Sequence, residues 1–290
     1  MKIFIDGAFY DKKDAKISVF DHGLLYGDGV FEGIRAYGGR IFRLDEHLRR
    51  LQESANAIYL TLPMSLKGIE EAVIETVRAN ALKDAYIRLV VTRGVGDLGL
   101  DMRKCRGRAC LIIIADKIEL YPGSYYEKGL ELITTTIRQR SPDQLPPGIK
   151  SLNYLANVLA RAEAARAGAQ EAVLLNHEGL VTECSSDNIF FVYDGKIYTP
   201  PVRAGLLEGV TRKTVMDLCR DKLKNAVIER MFGRFELYRA QEIFLTGTGA
   251  EVIAAVKIDG HVIGSGAAGP MTKKIIALFR EHSRSTGTPV

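Results

Sequence analysis

A lysine stands where an apolar segment passes into a predicted helix, in PGIKSLNYLANVLARAEAARAG. Lys150 comes four residues before Tyr154, and an alanine-rich amphipathic pattern follows. Most lysines at the start of a helix are solvated. An amine held beside a phenol can instead attack a carbonyl and form a Schiff base, so this segment is a candidate catalytic site. The lysine alone does not choose between the two interpretations.

Two turns rich in glycine and threonine could bind an anion. In LLEGVTRKTV, Gly209, Val210 and Thr211 open a predicted helix, where free backbone N–H groups and the helix dipole favour negative charge. Simple N-capping by Thr211 is the ordinary alternative. Thr248 and Gly249, in LTGTGAE, follow a predicted strand and form the second turn. Neither turn matches GxxxxGK[ST], and no GxGxxG follows a strand, so a dinucleotide site is not expected.

Charged side chains complete the candidate site. Glu183 ends a predicted strand in GLVTECSSDNIFF, either as a turn residue or as a carboxylate aimed at a cationic nitrogen. Tyr86 and Arg88 lie two residues apart on the predicted strand AYIRLVV and therefore share a face. An arginine on a buried strand needs an anion, in a structural salt bridge or in a bound carboxylate. Arg50, on the predicted helix EHLRRLQESA, is either solvated or able to reach a phosphate.

These weak signals fit one cofactor when they are combined. Pyridoxal phosphate needs a lysine for its aldehyde, a cradle for its phosphate and a group that tunes its ring nitrogen. Lys150, the two turns and Glu183 would supply these three functions.

Composition and charge limit the other classes of protein. The chain has 290 residues, of which 47% are hydrophobic and 26% charged, and its net charge is +5. This balance is typical of a globular protein and too mild to indicate nucleic-acid binding. The sequence contains no long uncharged apolar segment that would predict a membrane span. The cysteines lack zinc-site spacing and the N-terminus lacks a signal-peptide pattern, so we expect a cytoplasmic protein without a metal.

The hydrophobic pattern predicts an α+β chain in two domains. Antiparallel strands and two helices come first, a turn-rich connection follows, and a second block mixes strands with helices. We therefore expect a small N-terminal domain (1–118), an interdomain connection (119–129) and a large C-terminal domain (130–290). The last residues, SRSTGTPV, are expected to be loose.

The order of the motifs carries a family resemblance. YGDGVFEGIR, EHLRRL, AYIRLVVTRGVGDLGLD, KSLNYLAN, TECSSDNIF, LEGVTR and LTGTGAEV follow one another along the chain. In this order they resemble the fold-type IV pyridoxal-phosphate enzymes, nearly from end to end, and within them the branched-chain amino acid aminotransferases. The resemblance implies an α+β fold with a smaller N-terminal α/β sandwich and a larger C-terminal pseudo-barrel of strands surrounded by helices.

The resemblance also implies roles for individual residues around pyridoxal 5'-phosphate. Lys150 would be the Schiff-base lysine and the proton carrier, and Glu183 would pair with the protonated ring nitrogen. Tyr154 would hydrogen-bond the phenolic oxygen of the ring. The remaining contacts that it implies are Arg50, Gly209, Val210, Thr211 and Thr248 around the phosphate, and Leu207 against the ring.

A substrate pocket is implied in the same way. Tyr86 and Arg88, with the amides of Thr248 and Gly249, would hold the substrate carboxylate. The side chain of the substrate would be lined by Tyr26, Phe31, Gly33 and Tyr121. In the family, part of this pocket comes from a second subunit, which implies a homo-oligomer that is at least a dimer and leaves a trimer of dimers open.

The fold alone does not choose the reaction, because D-amino acid aminotransferases and aminodeoxychorismate lyases share it. Arg88 and Tyr154 favour the branched-chain enzymes, since D-amino acid enzymes typically have tyrosine and leucine there. KSLN is one residue shorter than in many branched-chain enzymes, and YGDGVFE and VVTRG also occur in D-amino acid enzymes, which leaves side activities open. We expect reversible transamination of L-leucine, L-isoleucine and L-valine with 2-oxoglutarate. The other two reactions and a non-catalytic cofactor-binding protein are the alternatives.

Overall fold

The computed structural model describes residues 1–105, 107–118 and 120–290. Within them the strands, numbered in chain order, are β1 (Lys2–Ile5), β2 (Ala8–Asp11), β3 (Gly29–Tyr37), β4 (Arg40–Ile41), β5 (Ala85–Thr92), β6 (Cys110–Asp116), β7 (Leu130–Arg138), β8 (Glu171–Leu175), β9 (Val181–Cys184), β10 (Asn188–Tyr193), β11 (Lys196–Thr199), β12 (Ile228–Glu229), β13 (Glu242–Gly247), β14 (Glu251–Ile258), β15 (His261–Val262) and β16 (Thr288–Pro289). The helices are α1 (His22–Tyr26), α2 (Leu44–Ala57), α3 (Leu66–Ala79), α4 (Gly123–Lys128), α5 (Leu155–Arg166), α6 (Val210–Asp221), α7 (Arg234–Tyr238) and α8 (Pro270–Ser285).

The chain forms two compact units. The first comprises Met1–Ile118, Ile149–Asn153 and Ser283–Val290, and the second comprises Glu119–Gly148 and Tyr154–His282. Each unit has its own sheet and its own helices, so the predicted α+β class is confirmed. Within the described part of the chain, no helix is both long and apolar enough to cross a membrane.

An antiparallel sheet forms the first unit, with the strand order β16-β4-β3-β5-β6-β1-β2. A hairpin at its edge joins β1 and β2 through Asp6 and Gly7, whose φ angles of 49° and 97° suit the left-handed turn that such hairpins use. The helix α2 contains the predicted helical segment EHLRRLQESA, and it buries Leu44, Leu48 and Leu51 in the core beneath β3. One face of β3 is therefore buried in a packed core.

The sheet of the second unit follows the path β12-β11-β10-β13-β14-β7-β8-β9, with β15 beside β14. Most neighbouring strands are antiparallel, and the pairs β11–β12, β14–β7 and β7–β8 are parallel. The strands β8 and β9 are buried along their whole length. Strands buried on both faces need covering elements, and α5 and α6 pack on this sheet.

The division into units differs from the predicted domains around Lys150. The prediction placed residues 149–153 in the domain 130–290, whereas they belong to the first unit. Backbone pairing is the reason: the amide of Phe31 donates to the carbonyl of Lys150 (3.0 Å), and the amide of Leu152 donates to that of Gly29 (2.9 Å). These hydrogen bonds attach the lysine segment to β3.

The C-terminal residues differ from the prediction as well. Strand β16 pairs antiparallel with β4, and the amide of Val290 donates to the carbonyl of Gly39 at 2.9 Å. The expectation that these residues are loose is therefore wrong. Residues 123–128, within the predicted connection 119–129, form α4 in the second unit, while Glu119 itself lies outside the described residues.

Candidate active site

The main chain of Lys150 is fixed from two sides within the first unit. Its amide donates to the hydroxyl of Ser54 on α2 at 3.1 Å, and its carbonyl accepts from the amide of Phe31 on β3 at 3.0 Å. The lysine is half-buried, and its Nζ lies 4.5 Å from the centre of the Phe31 ring. These contacts are unlike those of the solvated helix-start lysine that the sequence left as an alternative.

Arg50 binds a buried carboxylate that the sequence analysis did not single out. Its Nε donates to Oε1 of Glu32 and its Nη2 to Oε2, both at 2.7 Å. His47, one turn earlier on α2, lies with Nδ1 2.7 Å from the same Oε2. Glu32 has no solvent exposure and projects from the core face of β3. Arg50 is thus not a simple solvated cation. Because a guanidinium carries five N–H donors, its pairing with Glu32 does not prevent it from binding a second anion.

The charges of this cluster follow from its burial. Burial opposes ionisation of Glu32, but Arg50 and His47 outweigh it and lower the pKa of Glu32 to about 2. Burial lowers the pKa of His47, although Glu32 pulls it upward, and the neighbouring charges of Arg50 and Lys150 lower it further. His47 is therefore neutral near pH 7, and its Nδ1–H donates to the Glu32 carboxylate.

Tyr86 and Arg88 share a half-buried face of β5, as the sequence predicted. The guanidinium of Arg88 lies 4.6 Å from the ring centre of Phe31 and 5.6 Å from that of Tyr86. Among the described residues, Arg88 has no hydrogen bond or ion pair with a carboxylate. The structural salt bridge that the sequence left open is not observed in the described part of the chain, where two aromatic faces contact this cation instead.

Gly33 and Tyr26 occupy two other positions of the predicted pocket. A Cβ at Gly33 would lie 2.4 Å from the hydroxyl of Tyr86, so only glycine lets the phenol lie over β3. Tyr26 ends α1 and is exposed, and its hydroxyl accepts a hydrogen bond from the amide of Gly99 at 2.8 Å. His22 on the same helix also contacts the carbonyl of Asp97 at 3.1 Å. The loop GVGDLGLD is thereby anchored to α1.

Glu183 is held by amide donors in the second unit. It is 8% exposed at the end of β9. Its Oε1 accepts from the side-chain amide of Gln139 at 2.6 Å. Its Oε2 accepts from the backbone amide of Leu207 at 3.1 Å and from Asn188 at 3.4 Å. Neutral donors orient a carboxylate without cancelling its charge, so Glu183 can form an ion pair with a cationic nitrogen.

The same amide network extends to the start of α6. Asn188 donates to the carbonyl of Leu207 at 2.9 Å, and a Cβ at Gly209 would lie only 2.1 Å from Oδ1 of Asn188. Gly209 is the N-cap residue, Val210 begins the helix, and Thr211 lies inside it, so N-capping by Thr211 is not observed. In the described residues no side chain caps this helix, which suits its first amides to an anion.

The turn after β13 brings a second polar group to this region. Thr246 pairs with Asn188 across β13 and β10, and its hydroxyl is buried without a hydrogen-bond partner in the described residues. A buried hydroxyl without a partner is rare and costly, so a polar ligand atom fits here. Thr248 and Gly249 follow in the turn, both half-buried, and a Cβ at Gly249 would lie 3.1 Å from Leu120.

Tyr121 lies in a buried polar network of the second unit. It is 2% exposed, and its hydroxyl donates to Oε2 of Glu171 at 3.2 Å, which also binds Arg161 at 2.8 Å. Burial and the charge of Asp187 raise the pKa of Tyr121. Burial and the charge of Glu171 likewise raise the pKa of Asp187, to about 7. The predicted place of Tyr121 in the substrate pocket remains a prediction.

Each unit thus brings together part of the predicted site. The first unit gathers Lys150, Arg50, Phe31, Gly33, Tyr86 and Arg88, with Tyr26 on α1. The second unit contains Glu183, Leu207, Gly209, Val210, Thr211, Thr248, Gly249 and Tyr121, with Tyr154 at the N-cap of α5.

Some supporting residues were missed from the sequence. Glu32 could have been found, because it alternates with Val30 and Ile34 on an otherwise apolar strand face and a carboxylate there needs partners. Gln139 and Asn188 carry no comparable signal, since their role depends on which carboxylate the fold brings to them.

Comparisons with known proteins agree over nearly the whole chain. A model of the family described as amino-transferase class IV matches residues 29–258. A protein of Methanocaldococcus jannaschii, described as a putative branched-chain-amino-acid aminotransferase, is 48% identical over 290 residues, which cover 100% of this chain and 99% of that one.

Solved structures resemble the fold equally closely. The branched-chain aminotransferase of Thermoproteus uzoniensis with norvaline has a TM-score of 0.91 and 38% identity, covering 98% of this chain and 95% of that one. The T.th. branched-chain amino acid aminotransferase complexed with N-(5'-phosphopyridoxyl)-L-glutamate has a TM-score of 0.92 and 38% identity, covering 98% and 94%.

Proposed function

Because this chain belongs to the class IV aminotransferase family, we propose that it transaminates L-leucine, L-isoleucine and L-valine with 2-oxoglutarate, using pyridoxal 5'-phosphate. The products are branched-chain 2-oxo acids and L-glutamate, and the reaction is reversible. One observation carries the proposal: the Phe31 ring lies 4.5 Å from Nζ of Lys150 and 4.6 Å from Cζ of Arg88. A reactive amine and a carboxylate-binding cation therefore meet at one aromatic surface, as an amino acid substrate requires.

The side chains present fit the cofactor. Glu183, oriented by amides, would bind the ring nitrogen, and Leu207 would pack against the ring with Tyr154 at its phenolic oxygen. The phosphate would be held by the groups that suit an anion, namely the first amides of α6, the hydroxyls of Thr211 and Thr248, and Arg50. When bound, pyridoxal phosphate supplies an electron sink for the substrate α-carbon.

Lys150 would bind the cofactor and move a proton. Ser54 and Phe31 fix its main chain, so motion is confined to its side chain. An amine on a short, fixed tether can take a proton from the α-carbon and return it to C4′ of the cofactor on the same face. The resulting proton transfer would be stereospecific.

Substrate choice would depend on the face that carries Phe31, Tyr86 and Arg88. The aromatic ring of Phe31 offers an apolar wall to an aliphatic side chain. Arg88, which has aromatic rather than anionic partners in the described residues, would bind the γ-carboxylate of 2-oxoglutarate, and the α-carboxylate would then be held by Tyr86 and the amides of Thr248 and Gly249. One relative was solved with norvaline, an aliphatic amino acid, and another with a phosphopyridoxyl-L-glutamate adduct, which supports one aliphatic and one acidic substrate here. D-amino acid transamination and aminodeoxychorismate cleavage remain the alternatives.

A second copy of the chain would complete the enzyme. Exposed apolar side chains cluster in α1, in the segment before it and in the loop anchored to it: Val19, Phe20, Leu24, Leu25, Val95, Leu98 and Leu100. Leu98 and Leu100 are 65% and 84% exposed, and an exposed group of apolar side chains of this kind is typical of a protein–protein interface. We infer that this surface, the α1–loop patch, pairs in a homodimer.

The free cysteines among the described residues suit a reducing cytoplasm.

Absorption spectroscopy tests the proposed function. The protein loaded with pyridoxal phosphate receives one amino acid at a time, without an oxo acid. Conversion to the pyridoxamine form by L-leucine and by L-glutamate, but not by D-alanine, supports the proposal. Conversion by D-alanine and not by L-leucine shows that the substrate assignment is wrong. If no cofactor band appears after pyridoxal phosphate is added, the cofactor site itself is wrong.

A further inference from the structure

The buried carboxylate of Glu32 stands in an apolar environment. Its neighbours on the same face of β3, Val30 and Ile34, are fully buried core residues. A charge in such a place is retained only when hydrogen bonds and an opposite charge compensate for the loss of water. The partners come from one helix, α2, which presents His47 and Arg50 three residues apart on the face that packs on β3.

The contact between Glu32 and Arg50 fixes the direction of the guanidinium. Two parallel hydrogen bonds, from Nε and Nη2, join it to the two carboxylate oxygens at 2.7 Å each. Such a bidentate pair sets both the plane and the rotation of the arginine head group. A single hydrogen bond or a point charge would leave the rotation undefined.

His47 in turn fixes the carboxylate. Its Nδ1–H donates to Oε2 of Glu32 at 2.7 Å, and the imidazole is 2% exposed. Because burial keeps the ring neutral, His47 adds a hydrogen bond without a second positive charge. The hydrogen bonds of His47 and Arg50 to Glu32 therefore form one ordered network, and its single ion pair is that between Glu32 and Arg50.

We propose that Glu32 is a positioning residue for the cofactor phosphate, acting through Arg50. By holding the Nε–Nη2 edge of Arg50, it orients the other N–H groups of the guanidinium toward the phosphate. This inference rests on the proposed function, since it takes Arg50 as a phosphate ligand. A merely structural pair would stabilise α2 on β3 and leave phosphate recognition unaffected.

The charge of Glu32 also repels a phosphate, and this effect opposes the benefit of positioning. Glu32→Gln would change both effects at once and is therefore ambiguous. Glu32→Asp keeps the charge and withdraws the carboxylate by one methylene group, so it breaks the paired geometry with little change in long-range Coulomb energy. The aspartate variant is the informative one.

The test compares two ligands that differ only in the phosphate. The full-length protein freed of cofactor is titrated with pyridoxal 5'-phosphate and with pyridoxal, and dissociation constants are measured by calorimetry. For Glu32→Asp we expect the Kd of pyridoxal phosphate to rise about tenfold, as for a weakened charge-assisted hydrogen bond. The Kd of pyridoxal should stay within about twofold of the wild-type value, because pyridoxal makes no phosphate contact.

Unchanged discrimination in Glu32→Asp, with the ratio of the two dissociation constants equal to that of the wild type, overturns the inference. Glu46→Asp is the matched control, since Glu46 also lies on α2 but pairs with Arg43 at the N-cap, at 2.8 Å, and it should leave the ratio unchanged. A melting temperature recorded for each variant separates a stability loss from a recognition loss. If Glu32→Asp does not fold, His47→Leu, which removes the other support of Glu32, is expected to shift the ratio in the same direction.

The two proposals fail in different ways. A wild-type protein that binds neither ligand contradicts the proposed function. A wild-type protein that prefers pyridoxal phosphate, with a variant that keeps the same preference, contradicts only the role of Glu32. In the background of Arg50→Lys, which keeps a cation but lacks the fork, Glu32→Asp should have no further effect on the ratio, and an undiminished effect there also overturns the inference.

Discussion

Arg88 is the residue whose environment most directly concerns substrate choice. Replacing it with glutamine removes the charge while its aromatic neighbours Phe31 and Tyr86 stay in place. We expect KM for 2-oxoglutarate to rise at least about tenfold relative to KM for 4-methyl-2-oxopentanoate, because only the first acceptor carries a γ-carboxylate. Steady-state kinetics with each acceptor varied give this ratio. Arg40→Gln, an exposed change on β4, is the control, and an equal rise for both acceptors would contradict a γ-carboxylate role.

Glu32 makes a prediction about acid stability. Its folded-state pKa of about 2 lies below its ordinary value of 4.5, so the unfolded chain takes up the proton first as the pH falls. The stabilisation is fully present above pH 4.5 and is lost as the pH falls toward 2. It amounts to about 3 kcal/mol for a fully buried group. The lowered pKa of His47 acts in the same direction below pH 6.5.

Urea unfolding of the wild type and of Glu32→Gln between pH 7 and pH 3 measures this contribution. We expect the difference in unfolding free energy between the two proteins to be constant above pH 4.5 and to shrink as the pH falls from 4.5 toward 3. A difference that is independent of pH would show that the charge of Glu32 is not coupled to folding.

Site residues that stand in a recognisable motif could be predicted from the sequence. Residues that contribute only because the fold brings them next to a site residue could not. Lys150, Glu183 and Arg88 stand in recognisable segments, and the structure gives each a distinct environment. Arg50 was singled out as well, but its bidentate partner Glu32 was not. The identity of a partner depends on which strand face α2 covers, and that is a long-range property.

At the scale of elements, the start of α6 connects the proposed phosphate site to Glu183. A Cβ at Gly209 would meet Oδ1 of Asn188, and Nδ2 of the same amide donates to the carbonyl of Leu207 and to Oε2 of Glu183. Gly209→Ala must therefore displace Asn188 or the first turn of α6. We expect the Kd of pyridoxal phosphate to rise about tenfold, because the lost hydrogen bonds involve a charged group. Calorimetric titration measures it.

Gly123→Ala is the matched control for that change. Gly123 is the first residue of α4 and so, like Gly209, lies at a helix N-terminus, but a Cβ there would have no neighbour within 4 Å. Its Kd should equal that of the wild type. Equal affinities in both alanine variants would mean that the close approach of Asn188 to the α6 start does not matter for the cofactor.

Local patterns predicted the long elements and missed the short ones. The helices α2, α3, α6 and α8 follow from apolar spacing, and the hairpin β1–β2 follows from Asp6-Gly7. The six-residue helix α4 lies behind a Pro-Gly pair in a segment that was predicted as a connection. The two-residue strand β16 exists only through its pairing with β4, and no local pattern contains that information.

For the whole molecule, backbone pairing decides which unit a segment joins. Lys150 belongs to the first unit and Glu183 to the second, although both stand in the sequence half that was predicted to be one domain. Two hydrogen bonds join the lysine segment to β3, from the amide of Phe31 to the carbonyl of Lys150 and from the amide of Leu152 to the carbonyl of Gly29, and they place the segment in the first unit despite its position in the chain. Domain limits that are predicted from composition and turns divide the chain into continuous segments, so they cannot assign the short segment Ile149–Asn153 to the first unit.

The α1–loop patch gives the prediction at this scale. The loop is held to α1 by hydrogen bonds to Tyr26 and His22, so its leucines are displayed on an anchored segment. Leu100→Glu places a charge at the most exposed of these side chains, where it costs a monomer little but would be buried in a dimer. We expect the wild type to be a dimer at micromolar concentration and the variant to be largely monomeric.

Light scattering coupled to size-exclusion chromatography distinguishes the two states. Val262→Glu on β15 changes an equally apolar residue, 61% exposed, in the second unit and should leave the dimer intact. A dimeric Leu100→Glu variant would place the interface elsewhere. Part of the substrate pocket is proposed to come from the second copy. In the monomeric variant, KM for L-leucine should therefore rise by a larger factor than the Kd of pyridoxal phosphate. Loss of both in parallel would indicate misfolding of the first unit rather than dissociation.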